Sequence, residues 1–225
     1  MIKIVILLIC QSLLYSDERL EYSVSFRNIN VGGAILEFKE NIDSSYYHIK
    51  SNVKSNKYIS YLYNLNDHVD LFVNTIDFST KRVIKNINQG TYKRKHRAEI
   101  INDSLIYNGN KLFMPESIYD PISLVYYLRN QSILLNQFID VKVFDIDIVR
   151  DIRLTLDKVE VVKVPYGKFE CNTFTPSSTD GSELFKNNGL MTVWISNDTL
   201  KIPLQISQKT NLGNMVLKLK NRNSN

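Results

Sequence analysis

From Leu20 onward the apolar side chains fall at every second position through most of the chain. A period of two puts those residues on one face of an extended strand, so the chain can bury them only as a sheet. Leu20, Tyr22, Val24 and Phe26 share one face, with Glu21, Ser23, Ser25 and Arg27 on the other. After a turn over residues 28–31, Ala34, Leu36 and Phe38 return inward, and Tyr47, Ile49, Ser51 and Val53 continue on a third strand. Short links between consecutive strands make an antiparallel meander. The 13 Tyr and 10 Phe residues suit pleated strands, where large rings pack across neighbours.

The same character resumes at residues 69–73, 81–87 and 91–101, whereas 58–65 reads equally as a strand or a helical turn. Asn108-Gly109 predicts a two-residue hairpin, because the favoured turn needs positive φ at both central residues. Val164-Pro165-Tyr166-Gly167 predicts a second turn, after the long strand 153–164 and before the strand 168–175. A polar loop over 176–189 and a final meander of 191–196, 200–207 and 215–220 complete the pattern. The expected fold is mainly β: a single curved antiparallel sheet, half-barrel or barrel, of about a dozen strands, since so many strands curl or close to manage their edges.

One segment breaks the rhythm. Asp120-Pro121 is an N-cap followed by proline at the first helical position. Ile122, Leu124, Val125, Tyr126, Tyr127 and Leu128 follow, with Ser123 and Arg129 the plainly polar residues. A helix that is apolar nearly all round is buried on more than one side. One short buried helix is therefore expected near 121–129, against or inside the curved sheet.

The N-terminus reads as an address rather than as part of the fold. Lys3 is followed by a mostly apolar run over residues 4–14, and small Ser16 precedes Asp17, the outline of a secretory signal peptide over 1–16. Such a run is too short to cross a bilayer core, which needs roughly 20 residues, and no transmembrane span is expected in the mature chain. The bulky Ile9 before Cys10 argues against lipidation there. Loss of Lys3 with that segment turns 28 basic residues into 27 against 23 acidic ones, a net +4. The mature residues 17–225, expected as a single β-rich domain, keep one cysteine, Cys171, so no internal disulfide is expected and the thiol reads as a packed small hydrophobe.

Several stretches resemble a known family. Leu20-Glu-Tyr-Ser-Val-Ser-Phe with Val31-Gly-Gly-Ala opens the match, and Asp120-Pro-Ile-Ser-Leu-Val-Tyr-Tyr-Leu-Arg129 continues it. Val164-Pro-Tyr-Gly-Lys-Phe-Glu-Cys, Val193-Trp-Ile-Ser-Asn-Asp-Thr-Leu-Lys-Ile-Pro-Leu and Asn211-Leu-Gly-Asn close it, in order. Together they resemble the bacterial "domain of unknown function 3108" family. The resemblance implies a largely β exported protein at the periplasm or outer-membrane periphery of a Gram-negative bacterium, and supplies no activity or catalytic residue. The expected shape is similar in architecture to periplasmic lipoprotein-carrier half-barrels.

Chemistry-bearing residues are sparse. His48, His68 and His96 have no metal-ligand spacing and read as surface or half-buried strand residues. No Gly-x-Ser-x-Gly turn occurs. Asp140, Asp145, Asp147 and Asp151 lack calcium-loop spacing; Asp145 and Asp147 read as one solvated strand face, with Ile146 and Ile148 toward the core. No catalytic set, metal site or cofactor is expected. Lys93, Arg94, Lys95 and Arg97 form the densest basic run, with Lys81, Arg82 and Lys85 on the preceding segment. They read as a charged edge that blocks stray sheet pairing, or as a surface for anionic lipid head groups. Nucleic acid is a poor partner for an exported chain without a nucleic-acid motif.

Tyr126, Tyr127, Leu128 and Trp194 read as core or, alternatively, as the wall of an apolar pocket between helix and sheet. Arg129 would then face a ligand's acid group, or else pair with a structural carboxylate. The functional expectation is an envelope module that binds a hydrophobic or anionic component such as lipid, with Tyr126, Tyr127, Arg129 and Trp194 as ligand candidates. The alternative is a non-enzymatic structural or protein-interaction module. An empty apolar cavity of roughly 300 Å3 or more would favour the first, a filled interior the second.

Overall fold

The computed structural model describes residues 17–40, 45–179, 191–210 and 213–224; the segment 1–16, expected as a signal peptide, and most of the polar stretch 176–189 lie outside these. The first half holds β1 (Glu18–Phe26), β2 (Ile29–Lys39), β3 (Tyr46–Ser55), α1 (Lys57–Ser60), β4 (Asn66–Asn74), β5 (Thr80–Gln89) and β6 (Tyr92–Ile101). Then come β7 (Ser104–Tyr107), β8 (Asn110–Phe113), β9 (Ile118–Tyr119) and α2 (Pro121–Asn130). The last part is β10 (Phe138–Asp145), β11 (Ile148–Val164), β12 (Gly167–Ser178), β13 (Met191–Ser196), β14 (Pro203–Thr210) and β15 (Gly213–Ser224).

Among the described residues, 15 strands form one sheet in the order β8-β7-β6-β5-β4-β3-β2-β1-β15-β14-β13-β12-β11-β10-β9. Neighbours pair antiparallel except β9 with β10, which are parallel. Sequence order equals spatial order apart from the single closure of β1 on β15, where Tyr22 faces Leu219. The predicted rhythm survives in the burial: Leu20, Tyr22, Val24, Ala34, Leu36, Phe38, Ile49, Leu71 and Val83 are all buried on the inner face. Asn108 and Gly109 have φ of 47° and 80°, the predicted hairpin geometry, and join β7 to β8. The ambiguous 58–65 stretch takes the helical-turn form, a one-turn helix capped by Asn56 and followed by a turn at 61–62, with Leu65 in an isolated bridge.

The order has two ends, β8 and β9, so the sheet is open. The arms that carry those ends nevertheless touch. Tyr107 packs on Phe144 with ring centroids 5.1 Å apart. Asn108 donates from Nδ2 to Asp147 Oδ1 at 2.6 Å, and Arg94 approaches Asp147 at 3.6 Å. Lys85, on the inner face of β5, places Nζ 2.7 Å from both Asp120 and Asp145. Burial would lower the Lys85 pKa, but the two carboxylates outweigh it and hold the ammonium charged. Burial likewise pushes the Asp120 carboxyl above its usual range, against the pull of Lys85. The solvated strand face expected for Asp145 and Asp147 is therefore not formed. Ile146 and Asp147 make the β10–β11 turn with positive φ, Ile148 is exposed, and both acids serve the contact between arms.

Helix α2 fills the space that the sheet encloses. Asp120 caps it, accepting from Ile122 N at 2.9 Å, while Ser123 Oγ accepts from Asp120 N. Leu124, Val125 and Leu128 pack with Ile152, Leu154, Phe174, Val193 and Ile195 on one side. Tyr126, fully buried, stacks on Phe38 at 5.3 Å and on Phe78 at 6.1 Å on the other. At the C-terminal end, buried Arg129 holds Glu18 in a two-pronged pair of 2.6 and 3.1 Å, and Arg222 Nε adds a third bond at 2.8 Å. Burial raises the Glu18 pKa, but the two guanidinium groups outweigh it and leave the carboxyl below its usual range. Cys171 is buried, and burial pushes its thiol up to about 11, so it packs rather than reacts.

Two outcomes follow from these buried charges. Glu18→Ala removes the carboxylate that the buried Arg129 and Arg222 both hold and should cost about 3–5 kcal/mol in urea unfolding. Because the folded Glu18 pKa is depressed, its stabilisation is present above about pH 4.5 and lost as pH falls through the folded value. The wild type should therefore lose more stability than Glu18→Gln between neutral pH and pH 3. Lys85→Met should be destabilising by a similar amount, since it strands two carboxylates. Lys95→Met, on the outer face of β6, should stay within about 0.5 kcal/mol. Equal effects of the two lysine changes would contradict the inward placement of Lys85.

Candidate functional site

Strand β6 carries the basic run, and the pleat divides it. Lys93, Lys95 and Arg97 point outward and are exposed, whereas Arg94 and buried His96 point toward the contact between arms. The sequence grouped all four basic residues on one surface; three share it, and Arg94 is diverted to Asp147. Lys85 belongs to the interior for the same reason, being in phase with Val83.

The outward residues line up across strands. Lys93 faces Asn88, Lys95 faces Asn86 and Arg97 faces Ile84 on β5. Asn86 in turn faces His68 on β4. Two shallow hollows follow this surface, of about 450 and 370 Å3, and share Asn86 and Lys95. The larger extends to Arg97, Glu99, Ile106 and Asn108; the smaller runs to Asn66, His68 and Lys93. Arg97 is paired with Glu99 at 3.2 Å. Lys93 and Lys95 form no ion pair among the described residues. Amide side chains beside unpaired ammonium groups are donors for an anionic, oxygen-rich ligand.

The ligand candidates on and near α2 occupy other places. Tyr126 is core. Tyr127 is half-buried, packs on Tyr119 at 4.7 Å and borders a hollow of about 300 Å3 together with Lys142 and Asp151. Arg129 pairs with the structural carboxylate of Glu18. Trp194 lies on β13 and donates from Nε1 to Glu160 Oε1 at 2.8 Å. Tyr126, Arg129 and Trp194 line none of the hollows described here.

Two histidines join a polar cluster that the sequence did not bring together. His48 and His68 both reach Asp70, at 3.0 and 2.7 Å through Nε2, and His68 Nδ1 meets Asn52 at 2.6 Å. His48 also stacks on Phe72 at 4.4 Å. The i, i+2 spacing of His68 and Asp70 on one strand signals part of this set; the pairing of β3 with β4 supplies the rest. His96 is more buried than expected, and its two ring nitrogens lack hydrogen-bond partners; burial lowers its pKa, while Asp147 at 3.8 Å acts in the other direction. Among the described residues, no group of three or more His, Cys, Asp or Glu is placed to hold a metal ion.

Comparison with known proteins agrees with the fold. A solved structure with a TM-score of 0.62 is a beta-barrel-like protein of domain of unknown function DUF1849 from Brucella abortus. It is 11% identical, over 94% of this chain and 98% of that one. No curated protein matches the sequence. The family model described as protein of unknown function (DUF3108) matches residues 21–220, nearly the whole described chain. The chain belongs to the DUF3108 family.

Proposed function

We propose that this protein is an exported, non-enzymatic envelope module of a Gram-negative bacterium that binds an anionic envelope component on its outer surface. The observation that carries the reading is the alignment of Lys93, Lys95 and Arg97 beside Asn86 and Asn88, along a continuous pair of hollows. The filled interior supports the outside rather than the inside as the binding face. With Tyr126, Phe38 and Phe78 packed on one another in the interior, a hydrophobic ligand inside the curl would have to displace α2. The apolar run over 4–14, behind Lys3, supports export. Among the described residues, no helix is long and apolar enough to cross a membrane.

A second reading has its own observation. Edge strand β8 leaves Leu112 and Phe113 exposed, with the hydrogen-bonding groups of one side unladdered, a template for a strand from another protein.

Monomeric dihexanoylphosphatidylglycerol, used below its micelle threshold, is the direct probe of the first reading, with the phosphatidylcholine analogue as control. Saturable binding to the anionic lipid is expected, weakening with salt and falling at least about thirtyfold in Lys95→Glu/Arg97→Glu, at roughly 1 kcal/mol for each positive charge lost. Equal binding to both lipids, or an unaffected double variant, would count against it. Cell fractionation should recover the protein from the envelope without residues 1–16; a cytoplasmic location would contradict export.

A further inference from the structure

One end of the sheet gathers side chains that the fold leaves uncovered. The α1 turn and the β5–β6 hairpin meet there, through the Leu65–Gln89 bridge and a bond of 2.7 Å from Gly90 N to Asn64 O. Tyr58, Tyr61 and Leu62 are 84%, 82% and 88% exposed at this tip. Their exposure does not come from a loose backbone. Asn56 caps the turn at Ile59 N, Leu62 N and Tyr63 N donate to Ile59 O, and Asn56 N reaches Val31 O. Gly90, at φ +60°, lies against the Tyr63 ring, where a Cβ would sit 3.0 Å from it. A turn this well satisfied holds three large apolar side chains out in water, at a hydration cost that the fold itself does not offset.

The charge around the tip is mainly positive, with Asp67, bonded to Asn88 N and to Gln89 Nε2, as an acid beside it. Residues 54–63 contain Lys54 and Lys57 and no acid, and residues 88–97 contain four basic residues and no acid. Lys54, Lys57 and Lys93 are exposed. Tyrosine is the side chain that favours a bilayer's headgroup region, with its ring toward the acyl chains and its hydroxyl in the wet layer. Lysines in that layer gain from anionic lipid phosphates.

We infer that this tip docks the protein on an anionic bilayer surface, with Tyr58, Tyr61 and Leu62 entering the interface and Lys54, Lys57 and Lys93 meeting the lipid phosphates. The inference rests on the anionic-ligand reading and names its source, a membrane rather than a free molecule. The smaller basic hollow begins at Asn66 and Lys93, beside the tip, so docking brings headgroups to its mouth. The apolar side chains decide between a bilayer and a soluble polyanion, which would have no use for them.

The test is co-sedimentation of the purified protein with vesicles of phosphatidylglycerol and phosphatidylethanolamine, against vesicles of phosphatidylcholine. Partitioning is expected to be at least about tenfold stronger on the anionic vesicles. Tyr61→Ser/Leu62→Ser should lose about tenfold while its circular dichroism and its binding of monomeric dihexanoylphosphatidylglycerol stay unchanged, and Lys57→Glu/Lys93→Glu should lose at least as much. In Leu62→Trp, the added fluorescence should shift blue on anionic vesicles. Wild-type protein that binds the monomeric lipid but not vesicles would overturn docking and leave the anion reading standing. Failure of both probes would overturn both. Vesicle binding unaffected by Tyr61→Ser/Leu62→Ser, or a protein partner captured through the tip in place of lipid, would also sink the inference.

Discussion

The fifteen described strands form an open sheet with two free ends, and the helix α2 that it encloses is tied at both of its own ends by buried charge. Asp120 at the helix N-cap meets Lys85, which also holds Asp145; Arg129 at the C-terminal turn holds Glu18, which Arg222 also binds. Lys85 and Glu18 each meet two opposite charges, Asp120 also accepts from Ile122 N and Arg129 also donates to Leu200 O, the further bonding under which buried ions are tolerable. These ties join strands far apart in the chain: β1, β5, β10 and β15 all contribute. The curl is thus fixed by side chains where a closed barrel would use a backbone ladder.

Filling the curl with α2 has a consequence for function. Phe38, Phe78 and Tyr126 close one side of the interior, and Leu124, Val125 and Leu128 close the other. Binding is then a property of outer surfaces, where the pleat sorts residues by parity. The same alternation that buries Val83 and Ala98 turns Asn86, Lys95 and Arg97 outward. The uncovered tyrosines at the α1 end owe nothing to this sorting. They are held by a turn whose own backbone is satisfied, which makes the tip a feature apart from core formation.

Much of the fold was legible because parity is local. Leu20, Tyr22 and Val24 declare their face without knowing their partners, and Asp120-Pro121 declares a helix start by capping chemistry alone. The same parity could have placed two misread residues, Lys85 and His96, and one that was not read at all, Glu18. Glu18 is in phase with Leu20, Lys85 with Val83, and His96 with Ala98, so each was bound to point inward. What outweighed that signal was charge, which reads as solvent-exposed until a buried partner is known, and those partners lie 35 to 204 positions away. Asp145 and Asp147 were misplaced for another reason: the two-residue β10–β11 turn interrupts the alternation without glycine or Asn-Gly to mark it. The candidate site was half legible. Its lysines stood out in sequence, but Asn86, Asn88 and His68 join them only through strand pairing, and Tyr58, Tyr61 and Leu62 lay in a stretch that read equally as a strand or a helical turn.

The account depends on α2 being the filling of the sheet rather than a lid over an empty space. Amide hydrogen exchange with mass spectrometry measures this directly. Amides of residues 124–130 should exchange as slowly as those of β1 and β2, and an added apolar probe such as a fatty acid should leave their protection unchanged. Exchange at the rate of exposed turns, or a marked change in their protection when the apolar probe binds, would show that the helix gives way to a ligand and that binding takes place inside.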